Sequence, residues 1–221
     1  PESEYLQIVK IQDQGGYSVL HCAKNSESID SILSLLPTSE RLQAVGLRDA
    51  DGQTVLHVVA SSGNYESIRK VLTLLPESQH LQFVCMRDRE EMTVMHHVVE
   101  SGNVESIKYT LALLPESQRL PAVCLQNGKG ETALHCLASS GNHVLIEHML
   151  ALLPESQRFL AVNIQDRRGE TVLHKAVRST SNIESVKLVL ALYPKSELPQ
   201  ALCTRTTGRI ALFCAVLTDR S

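Results

Sequence analysis

Five copies of one tetrapeptide mark time along this chain. They are Ser18-Val19-Leu20-His21, Thr54-Val55-Leu56-His57, Thr93-Val94-Met95-His96, Thr132-Ala133-Leu134-His135 and Thr171-Val172-Leu173-His174. From His57 through His96 and His135 to His174 the interval is always 39 residues. A second marker, Leu-Pro followed by Glu or Thr and then Ser, keeps step at Pro37, Pro76, Pro115 and Pro154, with Pro194 a residue late. A period of this length belongs to chains whose units stack, because one unit alone cannot bury its apolar face. The whole chain therefore reads as one array over 1–221. It comprises a partial repeat 1–12, repeats at about 13–48, 49–87, 88–126, 127–165 and 166–204, and a partial repeat 205–221. Pro1-Glu2-Ser3 matches Pro76-Glu77-Ser78, and Gly208–Val216 matches Gly169–Val177, so we expect a fragment of a longer protein.

The second unit shows how one copy folds. Asp49-Ala50-Asp51-Gly52 has the chemistry of a turn, Asp opening it and Gly supplying the permissive backbone. Thr54 stands at a helix N-cap, and His57 lies three residues on, placed to reach back towards that cap. Leu56, Val59 and Ala60 give the first helix its apolar face, and Ser62-Gly63-Asn64 ends it and caps the next. Ile68, Val71, Leu72, Leu74 and Leu75 recur at helical spacing and predict the second helix. Then Pro76 takes a first helical position, with Leu81 and Val84 spaced i, i+3 behind it. Leu42 and Val45, Leu120 and Val123, and Leu160 and Val162 after a one-residue adjustment repeat that pattern. Glu116 to Arg119 and Glu155 to Arg158 add weak helical charge pairs. The fold class is all-α, a solenoid with an extra short helical turn per repeat.

Composition narrows the function classes. A net charge of −3 gives no electrostatic case for nucleic acid or an anionic membrane, and no apolar run is long enough to span a bilayer. Six cysteines (positions 22, 85, 124, 136, 203 and 214) show no C-x-x-C spacing. They read as small buried apolar residues in a reducing, cytosolic compartment.

Turn-Gly-x-Thr-x-Leu-His, helix, Gly-Asn, helix: these residues resemble the ankyrin-repeat family over essentially the whole chain. The matching positions are Gly52, Thr54, Leu56, His57, Ala60 and Gly63, with Gly130, Thr132, Leu134, His135, Ala138 and Gly141. Departures are Val or Ala for the usual Pro after Thr, a period stretched from 33 to 39, three missing residues near Asn25, and Glu91 where Gly is expected. The resemblance implies paired antiparallel helices, a row of projecting fingers and a concave face that binds other proteins. The Leu-Pro-Glu-Ser-Gln-Arg segment is most similar to arrays in effectors that intracellular bacteria inject into host cells.

Chemistry-bearing residues argue against a site within the array. Five motif histidines in one structural place are caps, since catalysis needs no fivefold copy. Cys22 and Cys136 follow His directly, about 100° round a helix, so nucleophile and base point apart. His80, His97, His143 and His148 fit no zinc spacing and read as surface residues. Asn127-Gly128-Lys129-Gly130 is a turn without the P-loop pattern. No cofactor and no metal is expected.

What varies against the fixed frame is the rim. Arg48, Asp51, Gln53, Arg87, Arg89, Glu90, Met92, Glu100, Lys129, Glu131, Arg167, Arg168, Glu170 and Arg178 are the candidate protein-binding residues. With six arginines among them, the expected partner is a protein carrying carboxylates or a phosphopeptide, met by forked guanidinium contacts. Nucleic acid is not expected, since aromatic stacking platforms are absent. The function expected is a non-enzymatic interaction scaffold, part of a bacterial effector acting in the host cytosol. The alternative is a substrate-selecting arm of a larger enzyme whose catalytic domain lies outside this chain.

Overall fold

In the computed structural model, residues 3–23, 25–179 and 183–197 are described. The partial repeat at 205–221 and most of the fifth repeat's end, with Cys203 and Cys214, lie outside them. Among the described residues there are fourteen helices and no strand.

Each unit opens on a side chain that folds its own turn. Oδ1 of Asp49 accepts the backbone N–H groups of Asp51 and Gln53 at 2.9 and 2.8 Å. Asp13, Asp88, Asn127 and Asp166 do the same two and four residues on. Isolated antiparallel bridges close the bases of the first three hairpins, as between Arg48 and Thr54. These hairpins are the fingers.

Behind each finger comes a short inner helix: α4 (Val55–Ser61), α7 (Val94–Glu100), α10 (Ala133–Ser140) and α13 (Val172–Arg178). A left-handed glycine follows the first three (Gly63, Gly102, Gly141), and an Asn then caps the next helix, accepting an N–H three residues on. The outer helices are α2 (Ser26–Ser34), α5 (Tyr65–Thr73), α8 (Val104–Ala112), α11 (His143–Ala151) and α14 (Ile183–Leu190). Inner helices pack on inner, outer on outer. One continuous core runs from Leu6 to Tyr193. The first unit departs from this plan: residues 19–22 form turns rather than a helix, because the three missing residues leave too little chain. Cys22 is consequently exposed, whereas Cys85, Cys124 and Cys136 are partly buried, as expected of the set.

The extra element is more than a turn. It is a third helix: α1 (Glu4–Val9), α3 (Thr38–Val45), α6 (Glu77–Val84), α9 (Glu116–Cys124) and α12 (Glu155–Val162). Pro76 and its counterparts sit at the N-cap, one place before the expected first helical position. Phe159, not Leu160, fills the place of Leu81. Phe159 packs against the core while Leu160 is 57% exposed, so the i, i+3 pair with Val162 needs no adjustment. The Glu–Arg pairs do not form. Instead Arg119 and Arg158 donate from Nε to the Leu114 and Leu153 carbonyls, and Arg41 and His80 do likewise at Leu36 and Leu75. The fourth residue after each proline thus closes the open end of the outer helix, which explains why the motif travels as a block.

Successive fingers are hydrogen-bonded tip to tip. Ala50 N–H donates to Gly15, Arg89 to Asp51, Gly128 to Glu90 and Arg167 to Lys129, at 2.9 to 3.2 Å. This close approach is why Gly130 must lack a side chain: at φ +77° its Cβ would fall 2.5 Å from the Arg167 nitrogen. Glu91 holds the same left-handed conformation (φ 60°) with a side chain, and there the facing finger offers Gly128. Gly130→Ala is therefore expected to lower stability well beyond the ~1–2 kcal/mol of left-handed strain alone. Gly102→Ala, where a Cβ meets nothing within 4 Å, should cost only that strain. Denaturant melts of the two variants make the comparison, and equal losses would contradict it.

Candidate protein-binding face

The motif histidine ties each unit to the next. Nδ1 of His57 receives the Thr54 backbone N–H at 3.1 Å and lies 2.8 Å from the Thr54 hydroxyl. A nitrogen accepting that N–H carries no proton, so Nε2 bears it and donates 2.9 Å to the Met86 carbonyl at the base of the next finger. His21, His96 and His135 repeat the arrangement, donating to Gln53, Glu131 and Glu170 at 3.1, 2.9 and 3.0 Å. The expected cap is therefore present, and it doubles as a cross-unit strut. Burial, assisted by His97, pushes His57 down to about 4. Burial also lowers His96, His135 and His174.

A second tie runs from the turn acid to the residue nine places later. Asp88 Oδ2 meets His97 Nε2 at 2.8 Å, and Asp166 Oδ2 meets Lys175 Nζ at 2.9 Å. Lys175 also reaches Glu131 at 2.6 Å and Glu170 at 3.2 Å, pinning the fifth unit to the fourth. Burial alone would lower the Lys175 ammonium, but its bonds to Glu131, Asp166 and Glu170 outweigh that and raise it. Where the turn residue is neutral Asn127, the ninth residue is Cys136. Where it is Asp49, the ninth is Val58, and Asp49 Oδ2 is buried without a hydrogen-bond partner. His97 is thus a buried hydrogen-bond partner of Asp88, and His80 a buried helix closer, rather than surface residues.

A third device occupies four variable positions. Gln12, Arg48, Arg87 and Gln126 each donate to a carbonyl of their own turn and to the carbonyl of their counterpart or its neighbour in the next unit. Arg48 and Arg87, expected to meet a partner, have this structural job first.

The remaining candidate residues divide by burial. Met92 (8% exposed) and Glu170 (4% exposed) are removed from the face. Met92 sits under the finger whose N–H Asp88 holds, and Glu170 is spent on Lys175 and Arg178. Gln53 and Glu131 are half-buried, Glu131 engaged with Lys175. Arg167 is exposed and lies 3.8 Å from Glu91, which also approaches Arg87. Arg178 is exposed, with one arm on Glu170. Asp51, Arg89, Glu90, Glu100, Lys129 and Arg168 are exposed, and their side chains make no hydrogen bond or ion pair among the described residues. The free charge is therefore mixed rather than basic: Asp51 in the second unit, Arg89 with Glu90 and Glu100 in the third, Lys129 in the fourth and Arg168 in the fifth.

Two adjoining cavities lie on this face. One of about 580 Å³ is lined by Glu100, Glu131, Cys136, Ser139, Ser140 and apolar Val99 and Leu145. The other, about 240 Å³, is lined by Arg168, Lys175, Arg178, Ser179 and the same Ser139. The Cys136 thiol is pushed up to about 12, first by burial and then by Glu131 and Glu100, which makes it a poor nucleophile.

Residues 95–200 match the family model for ankyrin repeats, in three copies. The finger, capped inner helix and outer helix found there recur in the second unit, and the finger and outer helix in the first. The chain carries ankyrin repeats. No curated protein matches it. Ankyrin repeats are protein–protein interaction modules, a non-catalytic scaffold family. Among the described residues no His, Cys, Asp and Glu cluster has the form of a metal site, and no helix is long and apolar enough to cross a membrane.

Two outcomes follow for the ties. Lys175→Met strands three mostly buried carboxylates and should cost on the order of 3–5 kcal/mol. Arg178→Ala removes an exposed arginine from Glu170 while Lys175 still faces that carboxylate, so it should cost clearly less, about 1 kcal/mol by chemical denaturation, and similar losses would contradict the assignment. The neutral histidines act on pH. Because His57 is depressed when folded, the unfolded chain takes up the proton first, so stability is complete above about 6.5 and is lost as pH falls towards 4. His57 alone supplies up to roughly 3 kcal/mol of this loss. Melting temperature followed by circular dichroism should fall between pH 7 and 5, before carboxylates titrate. A flat profile there would be incompatible with buried neutral rings.

Proposed function

We propose that this array is an interaction scaffold that seats a segment of a partner protein along the face where fingers and inner helices meet. The observation that carries this reading is the contrast between saturated and unsaturated side chains. Histidines, turn acids and the Arg48–Arg87 ladder spend their polar groups on holding units together. Asp51, Arg89, Glu90, Glu100, Lys129 and Arg168 line the same face with charge that the fold does not use. Repetition makes the frame rigid, and a rigid frame displaying unspent charge favours specific docking. At about 8–10 Å per unit, five units extend roughly 40–50 Å, enough for a folded domain or an extended segment.

The partner we propose is an acidic protein segment, carboxylate-bearing or phosphorylated, meeting the bases of the fourth and fifth units: Lys129, Arg167, Arg168 and Arg178. The setting we propose is the host cytosol, reached as part of an effector secreted by an intracellular bacterium. It rests on the similarity of the Leu-Pro-Glu-Ser-Gln-Arg segment to effector arrays.

Paired substitution tests the docking reading. Arg167→Glu with Arg168→Glu is expected to weaken binding of a captured partner at least tenfold by calorimetry, about 1.4 kcal/mol or more. Both side chains are exposed, so the melting temperature should move by no more than a degree or two. Unchanged affinity would remove the fifth finger from the interface.

A further inference from the structure

The two adjoining cavities carry opposite charge, and this goes beyond the expectation of an acidic partner. Glu100 ends α7 with an exposed carboxylate that makes no hydrogen bond or ion pair among the described residues. It opens into the cavity of about 580 Å³, whose other walls include Val99, Leu145, the Cys136 side chain and Glu131, already engaged with Lys175, with hydroxyls from Ser139 and Ser140. An apolar wall leading to an unspent carboxylate suits a long side chain with an aliphatic stem and a cationic head. Burial and then Glu131 and Glu100 raise the Cys136 thiol there, with Lys129 and Lys175 opposing them.

Across Ser139 the balance changes. Arg168 and Arg178 face the smaller cavity together with Lys175. Lys175 is already surrounded by Glu131, Asp166 and Glu170, and one arm of Arg178 is on Glu170. What remains unspent is Arg168 and the rest of Arg178, against carboxylates close behind them. That residue of positive charge suits a monoanion and disfavours a dianionic phosphoryl group.

We infer that this face recognises one partner segment bearing both charges: a Lys or Arg side chain in the Glu100 cavity and, two units further along, an Asp or Glu carboxylate at Arg168 and Arg178. Two units are about 16–20 Å, so in an extended segment the two side chains stand about five or six residues apart. The segment is thereby fixed in direction as well as in place, since reversing it sets like charges against each other. The inference rests on the docking reading above and narrows its partner from an acidic segment to a zwitterionic one of fixed order.

Displayed random dodecapeptides, selected in parallel on the unaltered chain, on Glu100→Lys and on Arg168→Glu, make the test. Glu100 and Arg168 are exposed, and circular dichroism melts confirm that each variant folds. On the unaltered chain, enriched peptides should carry a basic residue at a constant spacing of about five or six from an acidic one. A synthetic consensus peptide should lose at least tenfold in affinity for Glu100→Lys by fluorescence polarisation. Selection on Glu100→Lys should replace the base with an acid at the same position, and selection on Arg168→Glu should replace the acid and keep the base. Enriched peptides that bear acids alone and bind Glu100→Lys within twofold would overturn the zwitterionic partner and leave the docking reading standing. Peptides indifferent to both substitutions, or no enrichment, would overturn both.

Discussion

One imidazole per unit does two incompatible-looking tasks at once, and the array depends on it. Its Nδ1 takes the N–H of its own Thr cap, at 3.1 Å in every Thr-capped unit. In His21, His57, His96 and His135 the Nε2–H reaches a carbonyl of the next finger. Each of these rings therefore braces its own turn and locates the following unit, and buried polar groups on both sides are satisfied by a single side chain. Asp, Glu or Gln at that place would cap the helix, but none presents an acceptor and a rigid, oppositely directed donor. The tie constrains the rest: with unit fixed to unit, fingertips approach closely enough for backbone hydrogen bonds, and glycine becomes obligatory where a Cβ would strike the next finger.

From this rigidity comes a division of labour among charges. Asp88 and Asp166 each use one oxygen on the turn and the other on a side chain nine residues later, His97 and Lys175, whereas Asp49, with Val58 at that place, leaves its second oxygen unpaired. Arg48 and Arg87 brace the fingers. Charges left after these duties are mixed in sign along the array, from Asp51 through Arg89, Glu90 and Glu100 to Lys129 and Arg168. A row of separately variable units on a common frame can present such an ordered pattern, because altering Glu100 or Arg168 does not disturb the ties beneath.

Much of this was legible in the sequence, for a physical reason. Thr54 with His57, Gly63 with Asn64 and the Ile68–Leu75 spacing are local rules, satisfied within a turn or two of chain, and every one is met in the structure. The third helix was readable in kind but not in length, since Pro76 and Leu81 mark a start and a face but not where the helix stops. Burial of charge was not readable position by position. Glu170 and Lys175 look like any rim residues until Asp166, Glu131 and Arg178 are brought around them, and His97 looks like a spare histidine until Asp88 faces it. The sequence carries only a partial signal nine residues apart: Asp88 with His97, Asn127 with Cys136 and Asp166 with Lys175 follow it, and Asp49 with Val58 does not. Met92 misled in the same way, an apolar side chain in a variable column that the fold draws inward.

The state of the imidazoles decides the account most directly. Nitrogen-15 chemical shifts of the histidine rings, recorded near pH 7 with long-range correlation to the ring protons, distinguish the two neutral tautomers from the imidazolium. His57, His96 and His135 are predicted to be neutral, with the proton on Nε2 and an unprotonated, hydrogen-bonded Nδ1. Rings carrying the proton on Nδ1, or averaging between forms as solvent-exposed histidines do, would mean that the units are not joined in this way.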